Sequence, residues 1–325
     1  MKINRREFGI GVSAVAGVSA FGFPAVAQKY PSQDVHFICG FAAGSGADVI
    51  VRWFAERMRP LMGANIIVEN KPGAFSAIAN QYVIRSKPDG YTIYVHGLNS
   101  AAANMHLLKN PGPDISTELQ VVATVNRATM MIAVPADSPH KTIKDLTTHL
   151  KQRGEKASYG FANPTSRVLG ALYRERAGHQ AVEVGYRTGA DYLNDLYSGN
   201  LDFAAVDNIQ GMAQQNAGKM RLLAVGAGTR MQAVPDLPTM KENGYDMDIR
   251  SWWGAAVPIA TPRPIVDQLN VWFSQIAASE DGKKFFNSIA SDPWVTKPDE
   301  GQAYLKQQIG DWAEYVKIAK IEPQG

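Results

Sequence analysis

Two short loops carry the residue types that could hold a small ligand. Phe41 to Asp48 is rich in glycine, Phe161 to Ser166 is rich in polar side chains, and each follows an apolar run and opens a predicted helix. The first turn of a helix has backbone N–H groups without partners in the helix, and the helix dipole adds partial positive charge there. Glycine lets a ligand approach the backbone closely. Such loops can bind an anion without a lysine or an arginine.

Both loops also have an interpretation that needs no ligand. Gly44-Ser45-Gly46 is compatible with a simple tight turn. Asp48 is compatible with a helix-start carboxylate, which would partly cancel the field that an anion uses. Asn163 followed by Pro164 is typical of a helix N-cap. These residues alone leave the ligand-binding and the turn-and-cap interpretations open.

The chain lacks the sequence motifs of the common catalytic folds. Gly44-x-Gly46 has Val49 where the dinucleotide-binding fingerprint needs its third glycine. Neither a Gly-x-Ser-x-Gly elbow nor a Gly-x-x-x-x-Gly-Lys phosphate loop occurs. The six histidines stand at no metal-ligand spacing such as His-x-x-x-His. We therefore expect a binding protein rather than an enzyme, with no cofactor and no metal.

The composition is that of an ordinary globular protein. Of the 325 residues, 45% are hydrophobic and 19% are charged, a mixture that disordered chains do not have. Without the three basic and one acidic side chains of the N-terminal segment, the formal charge falls from +3 to +1. Because no basic stripe stands out, we expect no nucleic-acid partner. The single cysteine, Cys39, cannot form an internal disulfide, and its apolar surroundings favour a buried position.

Residues 1–27 have the pattern of an export signal. A positive start is followed by an uncharged, mildly apolar stretch and by Ala25-Val26-Ala27, small residues that precede a cut at Gln28. Arg5-Arg6-Glu7-Phe8 fits the twin-arginine type of signal. A permanent membrane anchor is the competing interpretation, but glycine and alanine add little to the energy of insertion. We expect cleavage and a mature protein in the periplasm.

Short apolar runs alternate with helical periodicity along the rest of the chain. The predicted strands are Val35–Cys39, Asn65–Glu69, Tyr91–Val95, Leu119–Val125, Met130–Val134, Ala157–Gly160, Val182–Tyr186, Phe203–Val206, Arg221–Val225 and Ser251–Val257. Units of strand, helix and strand build parallel sheets with helices on both faces, and ligands bind beyond the carboxyl ends of the strands. Since the two loops lie in different halves of the chain, they predict two lobes with the loops facing each other.

Several short motifs follow one another in a characteristic order. They are Tyr30-Pro31, Gly40 to Asp48, Val68 to Ala74, Pro88 to Thr92, Val184 to Gly189, Gly199 to Asp202, Asp207-Asn208, Pro235 to Thr239 and Trp252-Trp253-Gly254. Each motif is weak alone, but their order and spacing extend over essentially the whole mature chain. Together they resemble the periplasmic solute-binding proteins of tripartite tricarboxylate transporters, the Bug/TctC family.

The resemblance implies an α/β fold of the two-lobe periplasmic binding protein type, similar to type II, with a ligand cleft between the lobes. The lobes would be residues 28–128 plus 250–325, and residues 129–249. The ligand would be a small organic acid, such as a di- or tricarboxylate or an aromatic acid, delivered by a monomeric protein to a membrane permease. Carried over by position, the ligand-binding residues are Phe41, Ala43, Gly44, Ser45 and Asp48 in the first loop, Phe161, Asn163, Thr165 and Ser166 in the second loop, and Tyr186, Arg187 and Asp207 along the cleft.

This sequence departs from the family pattern inside both loops. Gly40 and Ala43 stand where the family usually has prolines, and Asn163-Pro164-Thr165 replaces a segment rich in glycine and serine. The particular acid is therefore not predicted. Arg167 and Arg187 are candidates to pair with a second carboxylate of the ligand, and the alternative is that both are solvated surface charges.

Two other classes of function compete with uptake. The protein could deliver its ligand to a signalling receptor as a sensing partner. It could also be an enzyme that acts on a carboxylate, although the missing catalytic motifs weigh against this alternative.

Overall fold

The computed structural model describes residues 30–325, so the predicted export signal lies outside the described part of the chain. Its strands are β1 (Val35–Cys39), β2 (Ile66–Asn70), β3 (Thr92–His96), β4 (Leu119–Thr129), β5 (Met131–Pro135), β6 (Ser158–Phe161), β7 (Val182–Gly185), β8 (Phe203–Val206), β9 (Met220–Val225), β10 (Arg250–Pro258) and β11 (Asp292–Pro293). Its α-helices are α1 (Gly46–Met62), α2 (Ala77–Ile84), α3 (Leu98–Leu107), α4 (Ile115–Glu118), α5 (Ile143–Arg153), α6 (Pro164–Ala177), α7 (Gly189–Tyr197), α8 (Asn208–Asn216), α9 (Arg263–Ala278), α10 (Glu280–Ser288) and α11 (Pro298–Ile318).

The strands form two separate sheets. The first sheet has the order β11-β4-β10-β3-β1-β2 and the second has the order β7-β6-β8-β5-β9. This architecture confirms the predicted α/β fold of the two-lobe periplasmic binding protein type. The lobe boundaries that we expected from the sequence stay a prediction.

The expectation of parallel sheets is right for only part of each sheet. Strands β2, β1 and β3 are parallel, as are β7, β6 and β8, whereas β10 is antiparallel to β3 and β4, and β5 is antiparallel to β8 and β9. The chain crosses to the second sheet from the carboxyl end of β4 into β5, with Met130 as the only residue between the two strands. A strand that starts at the carboxyl edge of its neighbours must run away from that edge. The crossings therefore make β5 and β10 run opposite to their neighbours.

A hydrophobic cluster joins the two lobes behind the crossings. It includes Leu98 of α3, Leu169 and Tyr173 of α6, and Leu305 and Trp312 of α11, all with 2% exposure or less. Helix α11 contacts both α3 and α6. The C-terminal helix thus packs against both lobes and holds them next to each other.

The helices bury one face and leave the other in solvent. In α11, the longest helix described, Leu305, Trp312 and Val316 are buried while lysines and glutamates lie on the outer face. None of the helices within residues 30–325 has the length and apolar character that crossing a membrane requires.

Candidate functional site

A cavity lies between the carboxyl edges of the two sheets. Its volume is about 930 Å³, part of which is open to solvent. Residues of both lobes line it, together with Met130 of the crossing between β4 and β5 and Ser251 and Trp253 of β10. The cavity therefore has the position at which open α/β sheets bind ligands.

Five helices begin at this cavity. Each follows the carboxyl end of a strand, since α1, α3, α6, α7 and α8 come after β1, β3, β6, β7 and β8. The residues at their N-caps all line the cavity, and they are Ser45, Gly97, Asn163, Thr188 and Asp207. The positive ends of five helix dipoles thus surround one space. This arrangement favours an anion.

Asp48 supports the first loop, Phe41 to Asp48, through its hydrogen bonds. Its Oδ2 accepts hydrogen bonds from the Gly44 N–H at 2.9 Å and from Arg52 Nε at 2.8 Å, and its Oδ1 accepts one from Asn70 Nδ2 at 2.9 Å. Burial acts to raise the pKa of the Asp48 carboxyl, but these donors outweigh burial and hold the pKa below its usual value. Asp48 is 4% exposed and does not line the cavity. The structure therefore places it as a support of the loop, where its charge is already compensated.

The backbone of Gly40 and Phe41 is fixed by two further donors. Asn70 Nδ2 donates to the Phe41 carbonyl at 3.0 Å, and Ser76 Oγ donates to the Gly40 carbonyl at 3.0 Å. A Cβ atom at position 40 would lie 2.6 Å from the Cβ of Ser76 and 2.9 Å from Cε1 of His96. A side chain at position 40 would therefore require Ser76 or His96 to move. The Phe41 ring stacks on His96 with 5.0 Å between centroids and lines the cavity.

The predicted residues of the second loop are divided between the cavity and the protein interior. Asn163 lines the cavity, and its Oδ1 caps α6 by accepting the Ser166 N–H at 2.9 Å. Phe161, Thr165 and Ser166 are buried and lie outside the cavity lining. Thr165 instead joins the lobes, because its Oγ1 accepts a 2.6 Å hydrogen bond from Asn99 Nδ2 on α3. Of the four predicted residues in this loop, the structure therefore places only Asn163 at the cavity.

The three residues predicted along the cleft separate into two groups. Arg187 and Asp207 line the cavity at the starts of α7 and α8, whereas Tyr186 lies beside it and donates to Asp195 Oδ2 at 2.5 Å. The Asp207 Oδ1 accepts the Gln210 N–H at 2.9 Å as the N-cap of α8. Burial raises the pKa of the Asp207 carboxyl, although backbone N–H groups at the helix start act in the opposite direction.

The two arginines considered as partners of a ligand carboxylate differ sharply. Arg167 is 2% exposed, and its Nη2 and Nε bind Glu183 Oε1 at 2.8 and 3.2 Å. It is buried and lies outside the cavity lining, so the interpretation of Arg167 as a solvated surface charge is wrong, while its pairing with a ligand carboxylate stays a prediction. Arg187 is exposed at the cavity, and within residues 30–325 its guanidinium has no hydrogen-bond or ion-pair partner.

Sequence reasoning missed several polar residues that line the cavity. They are Asn99, Ser100, Thr188, Asn208, Gln210 and Ser251. Ser251 is 2% exposed, and its Oγ has no hydrogen-bond partner within residues 30–325, although it lies at the cavity wall. Asn99 and Asn208 each follow a predicted strand closely, and ligands bind beyond the carboxyl ends of strands. Both residues could therefore have been predicted from the sequence. Ser251 lies inside a strand, and only the antiparallel return of β10 places it at the cavity.

No group of three or more histidine, cysteine, aspartate or glutamate side chains within the described range is placed to hold a metal ion. The lining of the cavity contains one basic side chain, Arg187, and one acidic side chain, Asp207. The cavity therefore offers backbone dipoles and neutral hydrogen-bonding groups, with few formal charges.

Two lobes around a cleft of helix N-termini define the class of periplasmic solute-binding proteins. The sequence also matches the family described as the tripartite tricarboxylate transporter family receptor, TctC, over residues 50–320. Since the match covers most of the chain, the protein belongs to this family. The resemblance to the Bug/TctC family that the sequence motifs indicate is thereby confirmed.

Individual relatives agree with this assignment. A UPF0065 protein of Bordetella bronchiseptica is 30% identical over 307 residues, which cover 94% of this chain and 91% of the relative. The structure of the periplasmic binding protein BugD is 32% identical with a TM-score of 0.83, covering 91% of this chain and all of that chain. The R. palustris protein Rpa4515, solved with adipate, is 26% identical with a TM-score of 0.86 and the same coverage.

Proposed function

We propose that the protein captures a small organic acid as its carboxylate in the cleft and delivers it to the membrane permease of a tripartite transporter. The convergence of five helix N-termini on one cavity carries this proposal. Backbone dipoles that are already oriented stabilise an anion without the cost of burying a counter-charge. The adipate bound to Rpa4515, a relative of the same fold, supports a carboxylate ligand.

The residues that would contact the acid are a subset of those predicted. In the first loop, Ser45 offers a hydroxyl at the cavity, while Phe41, Ala43 and Gly44 shape its wall, because the Gly44 N–H is already donated to Asp48. From the other lobe, Asn163 offers an Nδ2 group that has no protein partner within residues 30–325. We propose that one carboxylate binds between these two loop tips.

Other residues of the cavity lining offer a place for a second polar group. The unpaired Arg187 guanidinium matches a carboxylate in geometry and charge. The unpaired Ser251 Oγ offers a further hydrogen bond. Asp48, Thr165 and Ser166 would act by positioning the loops, because they are buried away from the cavity.

The setting of this function follows from the family. A receptor of a tripartite transporter works outside the cytoplasmic membrane, and BugD is described as a periplasmic binding protein. We propose that the mature protein begins near Gln28, is located in the periplasm, acts as a monomer and does not convert its ligand. A lobe-closing hinge motion would hide the acid until the permease receives it.

Thermal unfolding of the mature protein against a panel of carboxylic acids tests the proposal. A ligand at about 100 times its Kd adds about 2.7 kcal/mol to the free energy of unfolding. For a chain of this size the midpoint should rise by roughly 4–8 °C. Folded protein with no shift for any acid would overturn the carboxylate assignment. Recovery of a two-component receptor rather than a permease from solubilised membranes would contradict delivery for uptake.

A further inference from the structure

A second concave surface lies directly beside the cavity, and we call it the outer groove. Its volume is about 980 Å³, including space open to solvent. It is lined by Gly40, Phe41, Ala42, Pro72, Gly73, Ala74, Phe75, Ser76, Leu108, Ala162, Tyr186, Arg187, Gln324 and Gly325. Apart from Arg187, these side chains are uncharged, and most of them are apolar.

The outer groove and the cavity share one wall. Four residues line both spaces, Phe41 and Ala42 from the first loop and Ala162 and Arg187 from the second lobe. The wall is therefore formed where the two lobes face each other. A molecule that binds between the loop tips has only this wall between itself and the outer groove.

One half of the shared wall is fixed and the other half is movable. The Phe41 ring is stacked on the buried His96, and its carbonyl accepts the hydrogen bond from Asn70. Arg187 is exposed and has no polar partner among the described residues, so its side chain can move without breaking an ion pair. Arg187 is therefore the part of the shared wall that a ligand could displace.

The floor of the outer groove is held in an unusual backbone conformation. Ala74, Phe75 and Ser76 have φ angles of 45°, 50° and 80°, a left-handed region that side chains other than glycine rarely adopt. Asn104 Nδ2 holds the segment by donating to the Phe75 carbonyl at 2.5 Å. Backbone strain of this kind persists only where surrounding contacts enforce it, and it concentrates at ligand clamps and switches. Here it keeps Phe75 at the groove.

We propose that the outer groove receives the apolar or aromatic tail of an organic acid whose carboxylate lies at the helix N-termini. This inference rests on the proposed function and adds a second subsite to it. The tail passes the Arg187 side chain and packs on Phe75, Tyr186 and Leu108. The preferred ligand is then an amphipathic acid rather than a short, fully polar one.

Affinity along a series of acids tests the subsite. Calorimetric titration would compare succinate and benzoate with ω-phenylalkanoates from phenylacetate to 6-phenylhexanoate. Each methylene that enters the groove should raise the affinity by up to about fourfold. Leu108 lines the outer groove and does not line the cavity, so the larger side chain of Leu108→Trp would fill the groove and leave the cavity unchanged. It should weaken the longest acid by about tenfold or more and leave succinate and benzoate unchanged, while Leu108→Met, which keeps the groove open, changes neither.

The outcomes separate this inference from the proposed function. Short acids that bind while longer acids gain nothing, or a gain that Leu108→Trp leaves intact, would overturn the subsite and keep the carboxylate cleft. An equal loss for short and long acids in Leu108→Trp would also overturn it, because the groove would then act on the cavity as a whole. Binding of no acid of any length would overturn both. If Leu108→Trp fails to fold by circular dichroism, Leu108→Phe supplies a smaller obstruction with the same expected direction.

Discussion

The first and second loops each follow a strand and open a helix, but the tertiary structure uses them differently. In the first loop, Phe41, Ala43, Gly44 and Ser45 line the cavity, and Asp48 supports them from below. In the second loop only the tip at 162–163 reaches the cavity. The remaining residues cap α6 or contact the other lobe.

The difference lies in where the buried polar side chains find their partners. The donors to Asp48 all come from its own lobe, so the first loop is a rigid part of one lobe. Thr165 bonds Asn99 of the opposite lobe, so the second loop is part of the junction. The glycine-rich first loop, which is held by bonds within its own lobe, can present its backbone to a ligand. The conformation of the second loop depends instead on the relative position of the two lobes.

Loss of the anchor under the first loop should have the largest effect. In Asp48→Ala, the Gly44 N–H and Asn70 lose their acceptor, and we expect a loss of about 2–3 kcal/mol in the free energy of unfolding. The contribution of the half-exposed Arg52 is screened by solvent. Urea unfolding measures the loss, and the exposed Asp246→Ala should remain within about 0.5 kcal/mol of wild type. A loss no larger in Asp48→Ala than in Asp246→Ala would contradict the role of Asp48 as an anchor.

Removal of the Asn99–Thr165 hydrogen bond between the lobes should lower the free energy of unfolding somewhat less, and it should loosen the contact between the lobes instead of the first loop. Thr165→Val keeps the side-chain shape but leaves Asn99 Nδ2 buried without its acceptor, which should cost about 1–3 kcal/mol. The exposed Thr148→Val in α5 is the matched control and should be nearly neutral. Hydrogen exchange should speed up in α3 and α6 of Thr165→Val and not in α1. Faster exchange confined to the second lobe would show that the two loops do not differ in this way.

Arg187 takes no part in the hydrogen bonds of Asp48 or Thr165, so its replacement should affect ligand binding and leave the free energy of unfolding unchanged. We expect Arg187→Gln to weaken a dicarboxylate about tenfold, or about 1.4 kcal/mol, and to leave a short monocarboxylate unchanged. The free energy of unfolding should stay within about 0.5 kcal/mol because the side chain has no partner within residues 30–325. Arg176→Gln, exposed on α6 away from the cavity, is the control for charge alone. Equal losses in the two variants, measured by calorimetry, would leave Arg187 without a specific role.

The smallest effect concerns Asp207, whose raised pKa makes its ionised form unfavourable in the folded state. That cost exists above the folded pKa and disappears below the unfolded value of about 3.9. Asp207→Asn retains an acceptor for the Gln210 N–H, so the helix cap survives. The variant should unfold at a higher temperature than wild type at pH 7, and the gain should vanish as the pH falls through the acidic range. The exposed Asp236→Asn should show no such gain, and a gain in Asp207→Asn that persists at low pH would have another origin.

Local patterns predicted many elements well. The apolar run Val35–Cys39 is β1 with the bounds expected, and Phe203–Val206 is β8. The loops after β1 and β6 were expected to face each other, and their tips line one cavity. These features depend on neighbours in the sequence, because hydrophobic periodicity and glycine-rich turns act over a few residues.

Other features depended on contacts between distant segments. The residues next to Arg167 in the sequence do not indicate that it pairs with Glu183. The residues next to Ser251 do not indicate that it lies at the cavity. The antiparallel direction of β5 and β10 follows from where the chain crosses between the sheets. Such contacts are set by how whole lobes pack.

The amino-acid sequence by itself determined the alternation of strands and helices, the two loops and the family, because each is encoded in short-range order and spacing. The tertiary structure alone decided which loop residues face the ligand space and which support it. Five helix N-termini and one unpaired arginine meet only after two sheets bring segments from residue 41 to residue 253 to one cavity. Burial and hydrogen-bond partners are properties of that assembly, and a single segment of sequence does not contain them.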